Sequence, residues 1–70
     1  MNKEDLKNII ATNIRMQRAK KNITQEHLAD LIELSPTQLS ALENGTALPQ
    51  ITTLIKLAEV FEIKVDDLLK

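Results

Sequence analysis

Two helix starts lie so close together between residues 24 and 36 that they dictate most of what this chain can fold into. Thr24 precedes "QEHLADLI", and Ser35 and Pro36 open "SPTQLSALENG". A threonine or serine hydroxyl just ahead of a helix accepts from first-turn amides that otherwise lack a partner. Proline suits the first helical position, and Gln38 stands where a capping box takes Glu or Gln. Gly45 follows the last turn, where a left-handed cap favours glycine. These signals predict helices over residues 24–32 and 36–44 with a break at 33–35. Leu28, Leu31 and Ile32 share one face of the first, and Leu39 and Leu42 point together from the second.

The flanks have the same character. Leu6, Ile10, Ile14 and Gln17 recur at helical spacing and predict a first helix over 5–20. "GTALP" is the clearest loop, and beyond it Ile51, Leu54, Ile55, Ala58 and Phe61 fall in register for a helix over 51–61. A last short helix is expected over 65–69, with Val65, Leu68 and Leu69 turned inward. No strand-like alternation, repeat or low-complexity run interrupts this pattern. The reading is an all-α, compact five-helix domain spanning residues 1–70, with neighbouring helices crossing steeply because their links are short. Apolar residues make up 43% of the 70, enough for one core, and with no cysteine that core has no disulfide or thiolate metal site to reinforce it.

Net charge is only −1, but it is unevenly placed. Residues 1–24 carry six basic and two acidic side chains, a balance of +4, while residues 25–70 carry three basic and eight acidic, a balance of −5. The overall value therefore says little about any one face. Phe61 is the single aromatic residue, which argues against the stacking platforms that single-stranded nucleic acid needs. Apolar runs reach at most four residues, far short of a membrane span. The N-terminal "MNKEDLKNII" has acids where a secretion signal has a basic region, so a cytoplasmic protein is expected, of bacterial or phage type and nucleoid-associated.

Two short helices joined by a three-residue turn form a helix-turn-helix pattern. On the second, Thr37, Ala41, Asn44 and, less squarely, Ser40 face outward. Such small, neutral side chains let another surface come close, where a helix exposed only to water more often carries Lys, Glu or Arg. Arg18, "ITQEHLADLI", "LSPTQLSALENG", Pro49, "LIKLAEVFEI" and "DDLL" follow one another in an order and spacing that resembles the DNA-binding domain of phage Cro and repressor proteins and of xenobiotic-response-element-type regulators. The resemblance covers about residues 9–69 and is far more specific than any single motif.

That resemblance implies a lambda-repressor-like fold in which the helix over 36–44 lies in the major groove and that over 24–32 crosses the phosphate backbone. Base reading then falls to Pro36, Thr37, Gln38, Ser40 and Ala41. Gln38 suits the two-bond amide pair with adenine, while Thr37 and Ala41 suit thymine methyl groups. Phosphate contacts are implied for Thr24 and Gln25 at a helix N-terminus, where amides and dipole favour an anion. They are also implied for Asn44 and Thr46, with Arg15, Lys20 and Lys21 supplying positive charge. Arg18 and Glu43 match a pair that links the first and third helices from inside. Useful specificity needs two half-sites, so a homodimer on a palindromic operator is expected, with Phe61, Ile63, Val65 and Leu69 as the candidate dimer surface.

Four positions depart from the family. Asn22, Glu33 and Glu62 stand just after helices where the family often has glycine, which puts the turn geometry at Glu33 in question. Lys64 replaces the usual Ser or Thr cap of the last helix, which is therefore expected to fray. Plainer roles compete with several site assignments. Gln38 fits a pure capping role as well as a reading one. Lys20 and Lys21 also fit a solvated helix end, and Met16 fits packing. His27 has no His or Cys partner for a metal, and Asp66 and Asp67 suit a helix N-terminus. With no nucleophile–base pair, phosphate-cradling loop or paired acid site, neither an enzyme nor a cofactor or metal is expected. The leading expectation is a sequence-specific double-stranded DNA-binding repressor. The other is a protein-interaction module, such as an antitoxin or adaptor, that keeps the fold with weak or no DNA binding.

Overall fold

Helix α1 (Lys3–Lys21) starts at Asn2, whose side chain accepts from the Asp5 amide at 2.8 Å. The computed structural model describes residues 1–70 and continues with α2 (Gln25–Leu31), α3 (Pro36–Glu43), α4 (Ile51–Phe61) and α5 (Val65–Leu68). The two central caps form as their residue types dictate. Thr24 Oγ1 accepts from the His27 amide at 3.1 Å, and Ser35 Oγ accepts from the Gln38 amide at 3.1 Å. The Lys64 side chain cannot accept a hydrogen bond, so α5 is closed from the other side: the Asp67 carboxylate accepts from the Lys64 amide at 3.1 Å.

The core is one cluster drawn from all five helices, in which Ile10, Ile14, Leu28, Ile32, Leu39, Leu57, Phe61 and Leu68 are fully buried. Helix α1 packs against α3, α4 and α5, so it is the spine of the domain. Buried Asn13 donates to the carbonyls of Leu68 at 2.9 Å and Lys70 at 3.2 Å, binding the chain end to that spine.

Helix α4 differs from the expected register. Ile51 is 64% exposed and Ile55 46%, while Thr53 and Leu57 turn inward beside Leu54, Ala58 and Phe61. At 100° per residue the buried set centres between Leu54 and Leu57, which puts Ile55 roughly 130° from that line. Leu31 likewise sits exposed at the end of α2, because Leu28, Ala29 and Ile32 define its inner face. Met16 is exposed on α1 rather than packed.

Four segments end in the left-handed region, at Asn22 (φ 56°), Glu33 (φ 60°), Gly45 (φ 74°) and Glu62 (φ 58°). In each case the next residue's amide reaches back across the turn: Ile23 to Arg18, Leu34 to Ala29, Thr46 to Ala41 and Ile63 to Ala58. Three of those next residues are apolar and pack on the core, so the closure joins a hydrogen bond to burial. Gly45 adopts this conformation without the β-carbon penalty, and a Cβ there would lie 2.8 Å from the side-chain tip of exposed Asn8, which would have to move aside. The two glutamates take the left-handed conformation despite their side chains, and each reaches a lysine of another helix. Glu33 meets Lys56 at 3.3 Å and Glu62 meets Lys21 at 2.7 Å.

A residue with a β-carbon costs on the order of 1 kcal/mol in this region, whereas an exposed ion pair contributes about 0–1 kcal/mol. Glu33→Gly is therefore expected to raise the urea midpoint of unfolding. The expected net gain is about 0.5 kcal/mol after the Lys56 contact is lost.

Candidate nucleic-acid interface

Helix α3 is held so that opposite sides have opposite character. Leu39, Leu42 and Glu43 are buried; Pro36, Thr37 and Gln38 are exposed, and Ser40 and Ala41 are half-exposed. The five residues expected to read bases thus share one accessible face. Gln38 is oriented by its own cap, its Oε1 accepting from the Ser35 amide at 2.9 Å. Its Nε2 remains available for an outside acceptor. A shallow groove runs beside Gln38 and Ala41, walled by Leu34, Leu48 and Pro49 from the flanking loops.

The inner side of α3 is fixed by Glu43. Its side chain is 4% exposed and forms a salt bridge in which Arg18 Nε meets Oε2 at 2.7 Å and Arg18 Nη2 meets Oε1 at 3.4 Å. Arg18 Nη1 also donates to the Ile23 carbonyl at 3.1 Å. Gln25 Nε2 donates to Glu43 Oε1 at 2.8 Å, and the Arg15 guanidinium donates to the Glu43 main-chain carbonyl. No buried polar side-chain atom lacks a partner.

Several residues expected at phosphates have partners inside the protein. The Gln25 carboxamide is turned to Glu43, and Lys21 is paired with Glu62. That lysine, by hydrogen bond and charge, holds the Glu62 carboxyl below the usual glutamate range. The pair's contribution to stability is therefore full above that range and fades as pH falls through the lowered value. Thr24 Oγ1 is engaged by its cap, and Thr46 Oγ1 donates to the Ala41 carbonyl at 3.1 Å. Asn44 is exposed at the end of α3, with Nδ2 3.5 Å from Ser40 Oγ. Arg15 and Lys20 are exposed, and neither is in an ion pair.

Of the four candidate dimer residues, Phe61 is corrected by the structure. It is 1% exposed in the core and offers nothing to a partner, while Ile63, Val65 and Leu69 keep partial exposure. Sequence reasoning missed the bonds of Gln25 and Arg15 to Glu43. No periodicity links side chains 18 and 28 residues apart, so nothing local signalled them. No cluster of three metal-ligating side chains occurs, and no helix is long and apolar enough to cross a membrane.

Two short capped helices, the second presented outward from a five-helix body, define a helix-turn-helix domain. The chain belongs to the helix-turn-helix family HTH_3, whose profile matches residues 14–68. It is 35% identical over 65 residues to the control protein C.SmaI of Serratia marcescens, covering 93% of this chain and 77% of that protein. It is 40% identical over 52 residues to the cryptic phage CTXphi transcriptional repressor RstR of Vibrio cholerae, covering 74% of this chain. The chain spans about half the length of that relative, 46%. Among solved structures, the SOS-response transcriptional repressor LexA from Eubacterium rectale superposes with a TM-score of 0.91 at 31% identity, covering 100% of this chain and 74% of that one.

The burial of the two partners predicts an asymmetry. Arg18→Ala strands a buried carboxylate and is expected to cost about 3 kcal/mol in urea unfolding. Glu43→Gln leaves an arginine that is 28% exposed and can turn to water, so about 1 kcal/mol is expected.

Proposed function

We propose that the protein is a sequence-specific double-stranded DNA-binding regulator of transcription, acting as a repressor, with α3 inserted in the major groove. The observation that carries this reading is the orientation of α3. One buried carboxylate fixes its inner side and leaves Pro36, Thr37, Gln38, Ser40 and Ala41 on a clear face. These amide, hydroxyl and methyl groups suit base edges, and their small size permits close approach. Names of relatives support the role: RstR is called a transcriptional repressor. No catalytic activity is assigned.

Phosphate contact is assigned to Lys20, Asn44 and the amides at the N-terminus of α2, with Arg15, Lys21, Thr24 and Thr46 contributing where their internal bonds exchange. A small number of cations gives a shallow salt dependence. The protein acts in the cytoplasm as a homodimer on a palindromic operator, its half-sites about one helical turn apart. Ile63, Val65 and Leu69 are the proposed contact between copies, and residues 1–70 form one folding unit. Selection from a random duplex library tests the reading. A recovered palindrome supports it, and no association with any duplex at low salt would return the adaptor alternative.

Gln38 both caps and reads, and the two roles can be separated. While Oε1 holds the Ser35 amide, Nε2 donates one bond to a base acceptor such as a purine N7, in place of the two-bond adenine pair. Gln38→Glu keeps the capping oxygen and removes that donor. Its melting temperature is expected to hold, a carboxylate being favourable in the first turn, while affinity for the selected duplex falls about 10-fold. Gln38→Ala is expected to lower both, read by thermal melting and fluorescence anisotropy.

A further inference from the structure

We infer that the Gln25 carboxamide is a positioning group, acting on DNA affinity through Glu43 and α3 rather than by touching a phosphate. The inference rests on the DNA-binding reading above. Gln25 is the first residue of α2, and its bond to Glu43 is the one side-chain hydrogen bond that joins α2 to α3. The two oxygens of Glu43 are held unequally. Arg18 Nε takes Oε2 at 2.7 Å, but its reach to Oε1 is a long 3.4 Å, so Oε1 depends on Gln25 at 2.8 Å.

Swinging the carboxamide out to a phosphate would leave that oxygen, on a side chain 4% exposed, with only the long contact. A buried charged acceptor short of donors is costly, whereas an exposed phosphate can bond to water or to the free amides of the α2 N-terminus. The consequence for binding is geometric. Helix α2 crosses the backbone while α3 lies in the groove, so their mutual angle sets whether both sets of contacts form together. Gln25 and Arg18 grip the same carboxylate from α2 and α1, and so fix α3 against both.

The test compares wild type, Gln25→Ala, Gln25→Met (which keeps the packing volume), Glu43→Gln and Gln25→Ala/Glu43→Gln. Affinity for the selected duplex is measured at low temperature, where circular dichroism shows each variant folded. Single methylphosphonate substitutions along the duplex map which phosphates matter. Gln25→Ala and Gln25→Met are each expected to weaken binding about 10-fold, the order for losing a bond to a charged group. The phosphate map is expected to stay unchanged. In the Glu43→Gln background, Gln25→Ala is expected to cost less than about 3-fold more, because the two act as a unit.

A phosphate that loses its sensitivity only in the Gln25 variants makes the side chain a direct contact and overturns the inference. A lowered melting temperature with unchanged affinity also overturns it, as a merely structural role. Additive losses in the double variant do the same. Wild-type protein that binds no duplex defeats the DNA-binding reading itself and the inference with it.

Discussion

The carboxylate of Glu43 is the interaction on which the rest of the structure depends. Three helices meet on it: Arg18 from α1, Gln25 from α2, and α3, which carries it. Arg15, one turn before Arg18, holds the main-chain carbonyl of the same residue. A buried ion pair adds little net stability over a well-packed apolar substitute, because desolvation offsets most of its attraction. Its distinctive effect is directional. Leu39 and Leu42 alone would bury α3 equally well after a small rotation about its axis, and each such rotation would change which side chains face outward. A carboxylate with donors in fixed places removes that freedom.

The second constraint is the way segments end. Four left-handed closures, at Asn22, Glu33, Gly45 and Glu62, let a chain without disulfides change direction within a few residues. Gly45 alone takes the left-handed conformation without a β-carbon penalty, and a Cβ there would displace the exposed side-chain tip of Asn8. At the other three the bond reaching back five residues and the burial of Ile23, Leu34 and Ile63 outweigh the local penalty. The turn inside the helix-turn-helix is thus held in shape by Leu34, which bonds back to Ala29 and packs on the core, and not by Glu33, which carries the strain.

The features legible in the sequence are those set by short-range chemistry. The caps at Thr24 and Ser35, the glycine at 45 and the inward pair Leu39 and Leu42 involve neighbours a few residues apart, where residue type nearly determines geometry. The outward face of α3 came from the same arithmetic, as did the alternative roles of Gln38. The misplacements came from tertiary context. Ile51 and Ile55 look like core by hydropathy, but α4 turns Leu57 and Thr53 inward instead. Phe61 looked able to serve both core and partner, and the core takes all of it. The inward bonds of Gln25 and Arg15 depend on distances that only the folded chain creates.

Charge on the candidate interface is correspondingly spare. Salt bridges engage Arg18 and Lys21, so α1 presents fewer free cations than its composition suggests. In the DNA-binding role proposed above, so few free cations would leave discrimination between sequences to short-range fit more than to bulk electrostatics. Such fit demands side chains whose positions are settled before contact, since each rotor frozen on binding subtracts from affinity. Gln38 meets that demand because its cap already fixes the carboxamide, and Pro36 and Ala41 have almost no rotamer freedom to lose. Thr37 is β-branched and stiff at χ1. The absence of Lys and Arg from this face therefore has a positive consequence: apart from Gln38, which its cap holds, the face is made of short side chains with few rotors to freeze.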